Sequence, residues 1–167
     1  MKIYISPSDQ TANEGVGNYG NEADRMQELA DILVPKLESA GHTVYGGDNS
    51  KDIYERVSEG NSSNVDLYIA LHSNAAGSTA RGATALYYTS STNGKKIAQL
   101  CVDKISEIDG AASGRSLISS TYYEVRATNA VATIVEVAFH TNETDVKFII
   151  NNMDEIAQAI CDAVEAY

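Results

Sequence analysis

Four separated segments of the chain each carry a carboxylate or imidazole side chain that could take part in catalysis. Asp9 follows a proline turn, and Glu22 follows a loop rich in glycine and asparagine. His72 ends one apolar run, and Glu136 lies late in another. Zinc sites use imidazole and carboxylate ligands, and general acid–base catalysis uses the same side chains. These residue types therefore indicate metal-assisted or acid–base chemistry.

Glu136 is the hardest of the four to explain as a purely structural residue. It lies within the apolar, β-branched run at residues 132–138, where an ionised carboxylate without a partner or a metal would cost several kcal/mol. Structural explanations stay open for the others. Glu22 would suit the positive end of a helix dipole, and an isolated histidine such as His72 is more often hydrogen-bonded than metal-bound.

The elements that must position these residues follow from the hydrophobic pattern. Strands are predicted at residues 2–6, 43–45, 65–72, 84–89, 122–126 and 132–138. Helices are predicted from residue 22 towards Gly41, at 51–63, at 97–108 and at 146–164, with Pro35 kinking or shortening the first. This alternation predicts one α/β domain over residues 1–167, with a sheet covered by helices on both faces. Ligands bind at the carboxyl ends of such strands, which brings the four groups to one edge.

The composition excludes some classes of partner. The 167 residues include 23 acidic and 12 basic ones and carry a formal net charge of −11, so we expect neither nucleic acid nor a membrane surface as a partner. The sequence shows neither the apolar core of a signal peptide nor a membrane-spanning run. Cys101 and Cys161 lie at apolar helical positions and are expected to be buried free thiols.

Three motifs in order along the chain resemble a known enzyme family. They are IALHSNA at residues 69–75, RGATALYY at 81–88 and IVEVAFHTN at 134–142. These motifs resemble those of the zinc-dependent N-acetylmuramoyl-L-alanine amidases of the amidase-3 type, and the similarity covers nearly the whole chain. The resemblance implies a mixed, mostly parallel α/β sheet and a zinc ion (Zn2+) bound by two histidines and a glutamate. It also implies a second, catalytic glutamate and cleavage of the amide bond that joins N-acetylmuramic acid to L-alanine in peptidoglycan.

The family's functional residues can be carried over at three positions and not at a fourth. Glu22 matches the ligand glutamate, His72 the second ligand histidine, and Glu136 the catalytic glutamate. The family's first ligand histidine is missing, because Asp9 stands in its turn. Asp9 or His140 could supply the third ligand, as could another loop residue or water. His140 lies four residues beyond Glu136, about 13 Å of extended strand, so it can reach the metal only if the chain turns back.

Two other functions stay open at this point. A zinc peptidase would cut the peptide stem instead, and a binding module of the same fold would have lost catalysis with the missing histidine. Arg81 and Tyr88 would line a sugar or peptide groove, although strand packing and surface charge also explain them. We expect the protein to act on the bacterial cell wall, either released by lysis like a phage enzyme or as a domain of a longer protein. A separate wall-binding domain could accompany it.

Overall fold

One sheet organises the structure, a computed structural model that describes residues 1–112 and 115–167. Within these residues the strands are β1 (Lys2–Pro7), β2 (Thr43–Gly46), β3 (Leu67–Asn74), β4 (Ala83–Tyr88), β5 (Arg115–Ser120) and β6 (Val131–Phe139). They lie in the order β2-β1-β3-β6-β4-β5. Only the β4–β6 pair is antiparallel among these neighbours. The predicted mixed, mostly parallel sheet is confirmed.

Helices cover both faces of this sheet and complete a single α/β domain. They are α1 (Glu22–Ser39), α2 (Ile53–Ser62), α3 (Thr92–Ser106), α4 (Tyr123–Arg126), α5 (Glu143–Asn151) and α6 (Met153–Glu165). Alternate side chains of β3 point to opposite faces. Leu67, Ile69 and Leu71 join the larger apolar cluster, which includes side chains of α1, α3 and α6. Tyr68 and Ala70 join a smaller cluster with side chains of α2 and α4.

The helix and strand predictions fail at three places. Residues 122–126 were predicted as a strand, but the helical turn α4 occupies most of them, and β5 was not predicted. The single helix predicted at 146–164 is divided at Asn152, whose φ of −126° and ψ of 29° leave the helical region. Pro35 lies inside α1, which continues to Ser39, close to the end that Gly41 predicts, with Leu33 and Leu37 buried on either side of the proline.

Strand register brings the candidate residues to one end of the sheet. His72 pairs with Glu136 between β3 and β6, and the register shifts directly afterwards so that Asn74 pairs with Phe139. Such irregularities bend a strand and change the direction of its side chains, and they are frequent beside functional sites. Helix α1 begins at the same end, where Asn21 caps it through a 2.9 Å bond from the Asp24 amide to its side chain.

The cysteine prediction is confirmed, since Cys101 and Cys161 are free and buried. In the part of the chain that the structure describes, no helix is long and apolar enough to cross a membrane. The larger apolar cluster holds both thiols, and burial raises the pKa of Cys101 to about 12. Both cysteines therefore act as small apolar core residues.

Candidate active site

The imidazole of His72 is held between two buried carboxylates. Its Nδ1 lies 2.8 Å from Oε1 of Glu22, at the start of α1, and its Nε2 lies 3.2 Å from Oε2 of Glu124, on α4. The two glutamates are 1% and 2% exposed. Burial alone would lower the pKa of His72, but its hydrogen bonds to Glu124 and Glu22 outweigh burial and raise it to about 10. Without a metal the ring is therefore a cation that donates from both nitrogens.

Glu22 is fully hydrogen-bonded in this arrangement. Besides its contact with His72, it accepts a 2.7 Å bond at Oε2 from the side-chain amide of Asn13. Burial raises the pKa of Glu22, but hydrogen bonding to His72 and its positive charge outweigh that effect and hold the pKa below its usual range. The amide of Gln10 also approaches His72 Nδ1, at 3.4 Å. The loop between β1 and α1 therefore lies directly over the Glu22–His72 pair.

Glu124 is the site residue that the sequence analysis missed. Its Oε1 accepts a 2.8 Å bond from Ser6 Oγ and a 3.3 Å bond from the Tyr68 hydroxyl. Burial raises its pKa, but the hydrogen bond and charge of His72 outweigh burial and hold the pKa below the usual range. A signal was present, because Glu124 is an acid next to apolar Val125 in a segment predicted to be a strand. That is the pattern that singled out Glu136.

Glu136 faces the same imidazole from β6 and differs from the other two glutamates. Its Oε2 atom is buried and has no hydrogen-bond partner among the described residues. Burial raises the pKa of Glu136 to about 7; the His72 cation opposes this, while the charges of Glu22 and Glu124 add to it. A carboxyl group with a pKa near neutral can both accept and release a proton at physiological pH, as a general base must.

Asp9 is linked to this cluster through an arginine. Its Oδ1 accepts a 3.2 Å bond from Nη2 of Arg56, and its side chain is 36% exposed. Arg56 is buried and also donates from Nε to Ser6 Oγ at 2.9 Å. The structure thus shows Asp9 bonded to an arginine through Oδ1, which leaves its second carboxylate oxygen for the proposed role as a ligand.

His140 occupies the opposite face of β3. His140 still runs alongside β3, where its amide donates a 2.9 Å bond to the Asn74 carbonyl, and the chain turns directly afterwards, where the Asn142 amide donates a 3.1 Å bond to the Phe139 carbonyl. Its Nδ1 lies 2.8 Å from Ser73 Oγ, and its ring stacks on Tyr19 with 5.6 Å between centroids. Because neighbouring side chains of a strand point to opposite faces, Ser73 holds His140 on the face away from the His72 ring. Sequence distance allowed His140 as a ligand, and this geometry does not favour it.

Arg81 and Tyr88, the predicted substrate contacts, both have structural partners. Arg81 donates from Nε to Asp145 Oδ1 at 2.8 Å, and Asp145 also accepts bonds from the Gly82 and Phe139 amides. Tyr88 is half-buried and packs against the smaller apolar cluster. One third of the Arg81 side chain is exposed, at 34%, so a contact with substrate stays a prediction.

The donor atoms fit part of a zinc site. Glu22 Oε1 and His72 Nδ1 are a carboxylate oxygen and an imidazole nitrogen 2.8 Å apart, and small movements would let both bind one ion. A histidine bound to a metal usually donates its other ring N–H to a carboxylate or carbonyl, as Nε2 does to Glu124. Among residues 1–112 and 115–167, however, no three His, Cys, Asp or Glu side chains are arranged to hold a metal. Two candidate ligands therefore lie side by side, and no third side chain joins them among the described residues.

Comparisons with known proteins agree with this architecture. A model of the N-acetylmuramoyl-L-alanine amidase family matches residues 3–166. Over 99% of its length the chain is 26% identical to the N-acetylmuramoyl-L-alanine amidase LytC of Bacillus subtilis (strain 168), of which it spans 35%. A second relative, the probable autolysin PH of Staphylococcus aureus, is 28% identical over 89% of this chain, which again spans 35% of it. The solved structure of the amidase AmiC2 of Nostoc punctiforme has the same fold, with a TM-score of 0.89 at 18% identity, covering 100% of this chain and 96% of that one.

Proposed function

The chain belongs to the N-acetylmuramoyl-L-alanine amidase family, and on that premise we propose that it hydrolyses the amide bond between N-acetylmuramic acid and L-alanine in bacterial peptidoglycan. One observation carries the proposal. The buried, unpartnered Oε2 of Glu136, on a carboxyl group whose pKa is about 7, lies beside the Glu22–His72 pair. Strongly perturbed carboxyl groups next to a charged partner are typical of catalytic sites.

Glu136 acts as the proton carrier in this proposal. It accepts a proton from water as the oxygen attacks the carbonyl carbon of the lactyl amide. It then donates that proton to the nitrogen of L-alanine as the carbon–nitrogen bond breaks, so that a neutral amine leaves. A pKa near 7 suits both steps, because a much stronger acid would accept the proton poorly and a much weaker one would release it slowly.

Glu22 and His72 are the proposed ligands of a zinc ion. A bound zinc ion would polarise the amide carbonyl and make a water molecule more acidic. Asp9 is the proposed third ligand, since its second carboxylate oxygen is not bonded to Arg56 and the loop that carries it already reaches His72 through Gln10. The 2.8 Å contact between the two donor atoms supports this ligand pair, because one tetrahedral ion would separate them only slightly.

The proposed partner is the peptidoglycan of the cell wall, with Arg81 and Tyr88 as candidate contacts of the muramyl peptide. The exposed part of Arg81 offers guanidinium N–H donors to the carbonyl and carboxylate groups of a peptide stem. The chain spans about a third of the two curated relatives described above. A wall-binding domain elsewhere in a longer protein is therefore compatible with the proposal.

The test is digestion of purified peptidoglycan with zinc-loaded protein, followed by mass spectrometry of the soluble products. We expect peptides with a free L-alanine amino terminus and glycans with intact muramic acid. The Glu136→Gln variant should bind zinc normally and release neither product, because an amide cannot accept the proton. The Glu59→Gln variant, at a partly exposed glutamate on α2, is the matched control and should keep full activity. New ends within the stem peptide would instead identify a peptidase.

A second candidate function is binding of peptidoglycan without cleavage. The observation that favours it is the ion pair of Asp9 with Arg56, where the family carries a ligand histidine. Such a protein would sediment with peptidoglycan and release no peptide at any zinc concentration, and Glu136→Gln would leave its binding unchanged. Release of peptide that disappears in Glu136→Gln would exclude this function.

A further inference from the structure

We propose that Glu124 is a positioning residue that directs Nδ1 of His72 towards Glu22 and the metal. This inference rests on the proposed function, since it assigns a role towards the zinc ion held by Glu22 and His72. It adds a residue that the family resemblance did not supply. Glu124 Oε2 lies 3.2 Å from Nε2 of His72, and Glu124 belongs to α4, an element that carries neither Glu22 nor His72.

Glu124 is itself held rigidly. Its Oε1 accepts from Ser6 Oγ at 2.8 Å and from the Tyr68 hydroxyl at 3.3 Å, which leaves Oε2 for the imidazole. Ser6 is fixed in turn by the buried guanidinium of Arg56. A site residue can be held within a few tenths of an ångström only when its own partners are fixed. Strand β1, strand β3 and helix α2 thus combine to place one carboxylate oxygen.

The need for such a partner follows from the chemistry of histidine. The outer torsion of this side chain is soft and has two broad minima, so hydrogen bonds decide which nitrogen faces which neighbour. When Nε2–H donates to Glu124, the lone pair of the neutral ring lies on Nδ1, the nitrogen 2.8 Å from Glu22 Oε1. A carboxylate acceptor also makes the ring a stronger electron donor to a metal. Both effects act through His72 and require no contact between Glu124 and the ion.

The test compares zinc affinity among variants by competition with a chromophoric chelator. Removal of such a partner typically weakens metal binding about 10- to 100-fold. We expect Glu124→Ala to lie near the upper end of that range. Glu124→Gln should lose less, because its carbonyl oxygen can still accept from Nε2–H. Glu59→Gln, which also removes a carboxylate that accepts from a tyrosine, should bind zinc as the wild type does.

A ring proton supplies the second readout. In zinc-loaded, ¹⁵N-labelled wild type, the Nε2–H of His72 should give a slowly exchanging downfield resonance. It should persist in Glu124→Gln and disappear in Glu124→Ala. A merely structural role would lower the unfolding midpoint of both variants and leave zinc affinity and this resonance of the folded protein unchanged, which would overturn the inference. Failure of the proposed function is distinct, because it appears in the wild type as zinc binding without peptide release.

Discussion

The chemistry of the candidate site depends on how three carboxylates share one imidazole. Glu22 and Glu124 each bond to one ring nitrogen, and the charge of His72 holds the pKa of both glutamates low. Both ring nitrogens are bonded to the other two glutamates, so neither is available to Glu136. Burial and the negative charges of Glu22 and Glu124 raise the pKa of Glu136, and only the positive charge of the ring opposes them. In the absence of a metal, protonation of Glu136 therefore costs less free energy than protonation of Glu22 or Glu124 as a means of reducing the local negative charge.

The titration of Glu136 predicts a pH dependence of stability in metal-free protein. Its folded pKa of about 7 lies above the ordinary 4.5, so its contribution to stability is fully present below about pH 4.5 and is lost as the pH rises to about 7. The loss is on the order of 3 kcal/mol, because each pKa unit corresponds to about 1.4 kcal/mol. Urea unfolding in chelator between pH 5 and pH 8 should show this decline in the wild type.

The control for that titration is Glu136→Gln, which has no proton to lose in this range. Its stability should fall less between pH 5 and pH 8, and the remaining decline belongs to groups such as His72, whose raised pKa also reduces stability as the pH rises above about 6.5. Parallel curves for the two proteins would show that Glu136 titrates at its ordinary pKa.

The third zinc ligand can be identified by paired substitutions. We expect Asp9→Ala to weaken zinc binding roughly 10-fold or more, because two protein ligands alone make a weak site. His140→Ala should lower thermal stability, since it removes a buried ring that stacks on Tyr19, and should leave zinc affinity unchanged. Equilibrium dialysis of both variants measures the metal bound. If neither variant loses zinc, the third ligand is another loop residue or water.

The connection between β6 and α5 depends on one buried carboxylate. Asp145 is 1% exposed and accepts bonds from Arg81 Nε and from the Gly82 and Phe139 amides, which ties the start of β4 to the end of β6. These are the antiparallel strands of the sheet, and Glu136 lies on the second of them. Asp145, nine residues beyond Glu136 in the sequence, therefore supports the strand that carries the proposed base.

Asp145→Ala should accordingly destabilise the protein by roughly 1–3 kcal/mol for each backbone amide that loses its acceptor, the buried one of Gly82 and the part-buried one of Phe139. Arg81→Ala is the matched control. It should cost clearly less, since Arg81 is one-third exposed and Asp145 would keep both amide donors. Urea denaturation at pH 7 measures both values. Equal losses would mean that the ion pair, and not the amide bonds, stabilises this connection.

The elements that the sequence predicted correctly are those with an uninterrupted hydrophobic pattern. The apolar runs that form β3 and β6 are packed between layers of helices. Their hydrophobic pattern alone was enough to predict both strands. Helix α4 was missed because the side chain of Glu124 turns into the protein to meet Ser6 and His72, partners more than 50 residues away. The break at Asn152 was missed because apolar residues continue at helical spacing on both sides of Asn151 and Asn152.

Across the whole molecule, the rule that parallel sheets bind ligands at the carboxyl ends of their strands located most of the site. Glu22, His72 and Glu136 do meet there, as predicted from their positions after or within apolar segments. What the sequence could not indicate was competition between partners. Arg56 comes from α2 and bonds to Asp9, and Ser73 bonds to His140, so each candidate for the third ligand has another partner that only the folded chain brings to it.

Zinc binding should be visible in the stability of the whole domain. A ligand that binds only the folded state adds about 2.7 kcal/mol when it is present at 100 times its dissociation constant. For a domain of this size, that corresponds to a rise of roughly 5–11 °C in the unfolding midpoint.

Cys101 and Cys161 would reduce this rise in the unfolding midpoint, because unfolding exposes two thiols that can bind zinc. Calorimetry of wild type with zinc or with chelator measures the effect, and a Cys101→Ala, Cys161→Ala double variant should show a larger shift. His72→Ala should show none, and an equal shift in His72→Ala and wild type would place the zinc elsewhere.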